Sequence, residues 1–233
     1  MKRSYLLIIL LSFSVAHAQH RSELWTKINV TKSISTHFDG GVDIQHRRQN
    51  SFDNDNNMLR YGMTSSIRLW TYYKLKNHSS LILSPIAYFD NQLIQGPSKS
   101  MQRSKELRTM VGATKTFALQ KVTNKHRVLY ELSFIESKES QRTIRQRYRL
   151  QNAFFFPLKN FKNNTVLHYS ATNEILFKTI KDNTSLDQNR FYNGIHFKGP
   201  QNDVSVGNQW TIQKEGNNYL NRSQLLLILN VNL

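Results

Sequence analysis

Asn221-Arg-Ser-Gln-Leu-Leu-Leu-Ile-Leu-Asn-Val-Asn-Leu233 is the stretch of sequence that decides the fold. From Leu225 onward, the odd-numbered positions are wholly apolar: Leu225, Leu227, Leu229, Val231 and Leu233. The other parity holds Arg222, Gln224, Asn230 and Asn232. Because successive side chains of a β-strand point to opposite faces, this spacing predicts a strand with one apolar face that needs cover from protein or lipid.

The same alternation recurs along the chain and predicts strands separated by polar turns. The segments lie near residues 22–31, 36–48, 59–73, 79–90, 104–118, 125–135, 143–156, 165–178, 188–198, 203–214 and 220–233. Most are longer than the strands of about five or six residues that are usual in soluble sheets. A bilayer requires about nine to eleven tilted residues. No repeat, linker or change of composition divides the chain, so we expect one domain.

These segments predict an all-β fold, a transmembrane antiparallel β-barrel of about 10–12 strands. In hydrocarbon every backbone polar group needs a partner within the protein, so β-structure crosses only as a closed barrel. Bacterial single-chain barrels have even strand numbers. We therefore expect ten strands, with residues 22–31 partly outside the wall, or twelve strands, one of which the pattern does not reveal. Ten strands agree better with the alternation of short periplasmic turns and long outer loops.

The first residues predict export. Met1-Lys-Arg3, an apolar run from Tyr5 to Val15 and Ala16-His-Ala18 form a secretory signal peptide over residues 1–18, which leaves 19–233 as the barrel domain. The absence of cysteine excludes a disulfide framework, a thiolate metal site and a lipidated cysteine. The predicted location is the outer membrane of a Gram-negative bacterium.

The net charge of +17 indicates polyanionic partners. Export argues against nucleic acid and leaves the phosphate-bearing glycolipid of the outer leaflet, to which cations bind by charge-assisted hydrogen bonds. Basic residues at the predicted outer strand ends are Lys99, Arg103, Lys105, Lys138 and Arg142. The alternative is that the cations are solvated in loops or fill the interior.

Charged residues on the inward parity predict a charge ladder in the lumen. Its members are Glu106, Arg108, Glu131, Arg145, Arg147, Arg149, Glu174 and Arg190. Paired, they would brace the barrel, since buried charges persist when they are paired. In excess, the arginines would form a constriction that favours anionic solutes.

His168-Tyr-Ser170 resembles the His-x-Ser arrangement of outer-membrane lipid A deacylases. His168 and Ser170 share a strand face about 7 Å apart, within reach of a base and nucleophile pair. Glu174 lies about 20 Å from His168 along an extended strand, too far to orient the imidazole. The pair also faces the lumen, which favours ordinary hydrogen bonding. No metal-ligand spacing or glycine-rich phosphate loop is present, so no metal or cofactor is expected.

Aromatic residues near the predicted strand ends are expected to form interfacial girdles. They are Trp25, Tyr61, Tyr72, Tyr73, Phe89, Phe154, Phe155, Phe156, Trp210 and Tyr219. Such girdles flank the apolar band of outer-membrane barrels.

Several spaced motifs resemble the DUF2490 family, outer-membrane barrels of Bacteroidetes type. They are Glu23-Leu-Trp25, Glu106-Leu-Arg108, Arg145-Gln-Arg-Tyr-Arg149, Asn173-Glu-Ile-Leu-Phe177, Asp187-Gln-Asn-Arg190 and the terminal strand. The resemblance covers nearly all of residues 19–233. It implies a barrel in the outer membrane and implies no established activity.

We therefore expect a non-enzymatic outer-membrane barrel, either a narrow channel for small polar or anionic solutes or a structural envelope protein. Its expected partners are outer-membrane lipids and, during biogenesis, the assembly machinery that reads the terminal strand. One alternative is a lipid hydrolase that uses His168 and Ser170. The other is a secreted basic β-protein that binds polyanions, which would follow if the strands formed a soluble sandwich.

Overall fold

The computed structural model describes residues 20–51, 57–95, 100–137, 142–161, 164–215 and 218–233. They form β1 (His20–Ser33), β2 (Phe38–Gln49), β3 (Tyr61–Lys74), β4 (Ser79–Gln95), β5 (Ser100–Leu119), β6 (Val122–Ser137), β7 (Thr143–Asn160), β8 (Val166–Ile180), β9 (Asn183–Lys198), β10 (Asn202–Glu215) and β11 (Asn218–Asn232). The predicted signal peptide, Lys99 and Lys138 lie outside the described residues.

No helix among the described residues is long and apolar enough to cross a membrane.

The eleven strands form one closed barrel in which each strand pairs with the next and β11 pairs with β1. The predicted fold class and all eleven predicted segments are confirmed. The expectation of an even strand number is wrong, because β1 lies fully in the wall. β1 pairs antiparallel with β2 from Glu23 to Ser33 and parallel with β11 from His20 to Thr31. A parallel closing pair lets an odd number of strands close without leaving an edge.

The two faces of the wall differ in polarity as the opening stretch predicts. Large apolar side chains such as Leu225, Leu227 and Val206 are exposed on the outside. Gln224 and Arg222, on the other parity of β11, are buried inside. The apolar parity of the last strand therefore belongs to the outer surface of a barrel of the outer-membrane type.

A β-bulge changes the parity of β4 and overturns part of the predicted aromatic girdle. The register shifts between Ser84 and Ala87, around Pro85. Leu83 faces outward before the bulge and Tyr88 after it, so Phe89 turns inward and is buried. Pro lacks the N–H that a ladder needs, and it is therefore tolerated at such bulges.

Three more residues of the predicted girdle, Trp25, Tyr72 and Phe155, also lie inside the barrel, the last against the ring of His196. Trp25 Nε1 donates a hydrogen bond to Gln45 Oε1 at 3.2 Å. Tyr72 stacks on Trp70, with ring centroids 6.1 Å apart. Tyr72 and Phe89 belong to an interior apolar side of the lumen, formed by Trp70, Tyr72, Ile82, Ala87, Phe89, Met110 and Leu129.

The connections fall at two ends of the barrel. We call the end with the β1–β2, β3–β4, β5–β6, β7–β8 and β9–β10 connections the turn end, and the opposite end the loop end. The long connection that the sequence predicts near 49–58 lies at the loop end, between β2 and β3, whereas the one predicted near 92–103 is largely strand, because β4 extends to Gln95 and β5 begins at Ser100. This grouping follows from the up-and-down order of the strands.

The seam between β1 and β11 is closed by side chains as well as by backbone. The Glu23 carboxylate on β1 binds Arg47 on β2, lies 3.5 Å from Arg222 Nη1 on β11 and accepts a hydrogen bond from Gln224 Nε2 at 2.5 Å. Asn29 donates a hydrogen bond to Asn230 further along the seam. Glu23 thus connects the three strands around the closure.

The parallel seam can be tested by disulfide formation, because the chain has no cysteine of its own. Leu24 and Leu225 are paired across the seam, so the double variant Leu24→Cys/Leu225→Cys is expected to cross-link on oxidation in detergent. Leu24→Cys/Val231→Cys is the control, because Val231 lies about 20 Å further along β11. A cross-link in the control, or none in the first variant while its heat-modifiable mobility is retained, would contradict the closure.

Candidate functional site

The barrel encloses an interior cavity of about 1450 Å³. Its lining includes Thr31 and Asn230 at the turn end and Leu93 and Tyr219 at the loop end. Ligand pockets of soluble proteins usually measure about 300–1,000 Å³. The cavity therefore extends along the barrel between its two ends.

Glu131 on β6 is the centre of the charge ladder. Its carboxylate is fully buried and lies 2.6 Å from Arg149 Nη1, 3.3 Å from Arg147 Nη1 and 3.5 Å from Arg108 Nη1. The strand register produces this arrangement, because Glu131 and Arg147 are direct partners across β6 and β7. One carboxylate thus connects three strands.

Two further carboxylates extend the ladder around the barrel. Glu106 Oε1 on β5 lies 2.9 Å from Arg108 Nη2 and 2.7 Å from Arg145 Nη2. Glu174 on β8 lies 2.6 Å from Arg149 Nη2 and 3.1 Å from Arg190 Nη1 on β9. The structure brings all eight residues of the predicted ladder into one network that spans β5 to β9.

Sequence reasoning missed several members of this network. Arg127 binds Glu174 at 3.2 Å, and Asp187 binds Arg147 at 3.0 Å and Lys178 at 3.2 Å. Arg127 shares the inward parity of Glu131, so strand parity could have found it. Asp187 could not be found in this way, because the register between β8 and β9 shifts beside it, between Leu176 and Phe177.

A separate charged cluster lies on β1 to β3. Asp43 Oδ2 is 3.2 Å from Lys27 Nζ and accepts a hydrogen bond from Trp70 Nε1 at 2.8 Å. Arg68 Nε is 3.4 Å from Asp43 Oδ1, and its guanidinium lies over the Trp70 ring at 4.9 Å. With the Glu23 cluster at the seam, these contacts continue the charged lining around the barrel.

Cations outnumber carboxylates on the cavity wall. The lining cations are Arg21, Lys27, Arg47, Arg68, Arg108, Lys125, Arg127, Arg145, Arg147, Arg149, Lys178, Arg190 and Arg222. Only Glu106, Glu174 and Asp187 line the cavity among the acidic residues that the structure describes, and Glu23, Asp43 and Glu131 lie beneath them. Thirteen cations thus face six carboxylates, which leaves the interior positively charged.

Lys125 belongs to this excess. It lines the cavity near the turn end, and the charged groups that act on it are the cations Arg127 and Lys198. In the part of the chain that the structure describes, no ion pair joins Lys125 to a carboxylate. Its ammonium group therefore remains available to a passing anion.

Ser170 has a different partner from the one that the sequence predicts. Its hydroxyl hydrogen-bonds to His196 Nε2 on β9 at 2.7 Å, whereas His168 is the cross-strand neighbour of His196. His196 Nδ1 lies 3.8 Å from Asp203 Oδ1 on β10. The rings of Phe155 and Tyr192 meet the imidazole edge-on. Because His196 lies on a different strand from Ser170, the sequence around Ser170 does not indicate this contact.

Metal ligands are not gathered in the described part of the chain. No group of three or more His, Asp or Glu side chains there could hold a metal ion. The carboxylates instead bind arginine and lysine.

Comparisons with known proteins extend these observations. The family model described as "Protein of unknown function (DUF2490)" matches residues 22–223. No curated protein matches the chain. The crystal structure of the β domain of the Bordetella autotransporter BrkA is similar, with a TM-score of 0.51 and 9% sequence identity over 82% of this chain and 78% of that one. At this identity the likeness concerns the fold alone.

The ladder generates a prediction about stability. Glu131→Gln is expected to lower the free energy of unfolding by about 3–5 kcal/mol, because it leaves buried arginines without their carboxylate. Glu136→Gln is the matched control on the same strand, where the side chain is exposed, with an expected change within about 0.5 kcal/mol. Urea unfolding followed by tryptophan fluorescence measures both. Equal effects would contradict the central role of Glu131.

Proposed function

The chain belongs to the DUF2490 family of proteins of unknown function, and on this premise we propose that it is a bacterial outer-membrane barrel serving as a narrow channel for small anionic solutes. The apolar outer face and the closed wall support a membrane location. The shared fold with an autotransporter β domain supports the outer membrane in particular.

The orientation follows from the connections. Outer-membrane barrels have short periplasmic turns and longer extracellular loops. The longest connection, between β2 and β3, lies at the loop end, so we place the turn end in the periplasm. Exposed Arg103, Lys105 and Arg142 then lie at the outer leaflet, where they bind glycolipid phosphates. Residues 1–18 act as the export signal, and the assembly machinery reads β11.

The cation excess along the cavity is the observation that carries the channel proposal. A ladder that only braced the wall would need matched charges, since unpaired buried charge is costly. Here the charge is unmatched and faces a cavity whose lining reaches both ends of the barrel. Rings of arginine and lysine confer anion preference on pores. A structural role in the envelope is the alternative, and conductance measurements distinguish it from the channel.

Conductance in planar bilayers tests the channel. The native protein is expected to conduct with an anion-preferring reversal potential under a salt gradient. Lys125→Glu should reduce the anion-to-cation permeability ratio by roughly tenfold, because reversing one charge changes the energy of a nearby anion in water by about 1–2 kcal/mol.

Lys115→Glu is the matched control for this experiment. Lys115 pairs with His126, next to Lys125, but it is exposed on the outer face of the wall. Its reversal should leave the permeability ratio unchanged. No conductance above background from the folded native protein would exclude the channel and favour the structural role.

A hydrolase is the second candidate, and the contact between Ser170 and His196 favours it. His196 Nε2 would accept the proton of the Ser170 hydroxyl as Oγ attacks an ester carbonyl carbon. The proton would then pass from His196 to the leaving alkoxide, and water would hydrolyse the acyl-serine. Because Ser170 faces the interior, the ester would have to enter the lumen from the aqueous side.

A fluorophosphonate probe, which labels activated serines, tests this candidate. Ser170→Ala and His196→Gln should both abolish labelling, whereas Ser133→Ala, at another buried interior serine, should retain it. Heat-modifiable mobility verifies that each variant is folded. Absence of labelling in the folded native protein would exclude the hydrolase.

A further inference from the structure

The outer face of the barrel carries a group of hydrogen-bonding side chains at mid-height on one half of its circumference. We call this group the amide belt, and it consists of Asn152 on β7, Asn173 on β8, Asn189 and Asn193 on β9, Asn208 on β10 and Ser223 on β11. The role of the amide belt depends on the membrane location proposed above.

Strand parity places the amide belt on the outer face. Asn173 alternates with the inward Glu174 and shares its parity with exposed Phe177. On β10, Asn208 shares the parity of exposed Val206 and Ile212. The amides therefore point toward the same surroundings as the large apolar side chains.

The amide belt lies near the middle of the strands. Asn173 is the eighth of the 15 residues of β8, and Asn208 is the seventh of the 14 residues of β10. Position along a tilted strand sets depth in the bilayer, so these side chains lie in the hydrocarbon layer, away from headgroups and water.

Among the described residues, the outward mid-strand positions of β2 to β6 are mostly apolar, and the polar pair His46 and Ser65 nearby is joined by a hydrogen bond of 2.9 Å. Ile44, Ile67, Ile86, Leu107 and Val128 occupy the outward mid-strand positions of β2 to β6, and all are exposed. Thr109, a polar residue at the middle of β5, donates its hydroxyl to Pro85 O at 3.2 Å and is thereby satisfied. The difference between the halves is a property of the sequence on β7 to β11.

Hydrogen bonds within the amide belt leave part of it unsatisfied. Asn173 Nδ2 donates to Asn189 Oδ1 at 2.8 Å and to Arg190 O at 3.3 Å, and Ser223 Oγ donates to Asn208 Oδ1 at 3.3 Å. Asn152 Oδ1 accepts a hydrogen bond from Asn124 Nδ2 on β6 at 2.6 Å. A primary amide carries two donors and two acceptor lone pairs, so these contacts leave part of the capacity unused. Asn193 packs beneath its neighbours, and its Nδ2 has no hydrogen-bond partner. Lipid tails supply no partner to the amide groups that remain at the surface, and each unmet group costs free energy.

We propose that the amide belt is the interface through which a second copy of this chain binds in the membrane. Amides both donate and accept, so the belt is complementary to its own image across a two-fold axis. No charged side chain lies on this mid-strand outer face of β7 to β11 among the described residues, so two copies meet without like-charge repulsion.

Aromatic packing adds contact area to this surface. Phe191 and Trp210 stack within the amide belt, with ring centroids 6.1 Å apart. Aromatic residues are enriched in protein interfaces. Hydrogen-bonding side chains likewise associate transmembrane segments in lipid.

Single-cysteine cross-linking in outer-membrane vesicles tests the interface. Phe191→Cys places a thiol at the centre of the amide belt, and Ile67→Cys is the matched control on the apolar half. Phe191 and Ile67 are similarly exposed, at 43% and 48%. A short bismaleimide is expected to yield a band of twice the monomer mass for Phe191→Cys and none for Ile67→Cys.

A second variant tests the amides themselves. Asn173→Leu/Asn208→Leu should raise the dimer dissociation constant in detergent by about tenfold, since hydrogen bonds of this kind each contribute modestly in membranes. Ile44→Leu/Ile67→Leu, on the opposite half, should leave the constant unchanged. Heat-modifiable mobility verifies that both barrels are folded.

Several results would overturn the proposal. Equal cross-linking of both cysteine variants indicates random collision, and a band of any other mass indicates a different partner. Recovery of a folded monomer from the outer membrane would contradict the dimer but not the channel. Recovery of the protein in the soluble fraction removes the membrane location as well.

Discussion

The need to pair every backbone N–H and C=O within the wall is the constraint on which the structure depends. Hydrocarbon offers no partner to an open strand edge, so the sheet must close. Closure is reached here by pairing β1 with β11 in parallel over twelve residue pairs. Once the wall is closed, each side chain lies either on the outer face or in the lumen, according to its position in the strand. The apolar positions of β11 therefore lie on the outer face.

The same constraint explains the chemistry of the lumen. The outer face of the closed wall is largely apolar, and most charged side chains of the strand interiors collect inside, where each carboxylate is shared among several cations. Glu131, for example, contacts guanidinium groups from both β5 and β7. Sharing keeps the buried carboxylates paired, yet the cations still exceed them on the cavity wall. The interior thus combines a braced framework with a positive potential available to solutes.

Sequence periodicity predicts the eleven segments and the inward face of the eight residues first assigned to the ladder, because parity is a local property of a strand. It does not predict the partners across strands or the changes of parity. Pro85 marks the bulge that turns Phe89 inward, and the shift is visible only in the pairing of β4 with its neighbours β3 and β5. His196 was missed for the related reason that its contact with Ser170 depends on the register between β8 and β9. The odd strand count was missed because it depends on the direction in which the closing strands meet.

The parallel seam also sets the route of the polypeptide through the barrel wall. β1 enters the wall at the loop end, and β11 leaves it at the turn end, since both run in the same direction. The described chain therefore begins at one end of the barrel and finishes at the other. In a barrel with an even strand count both would lie at the same end. The odd count thus makes the wall a single-pass connection between the two mouths of the barrel.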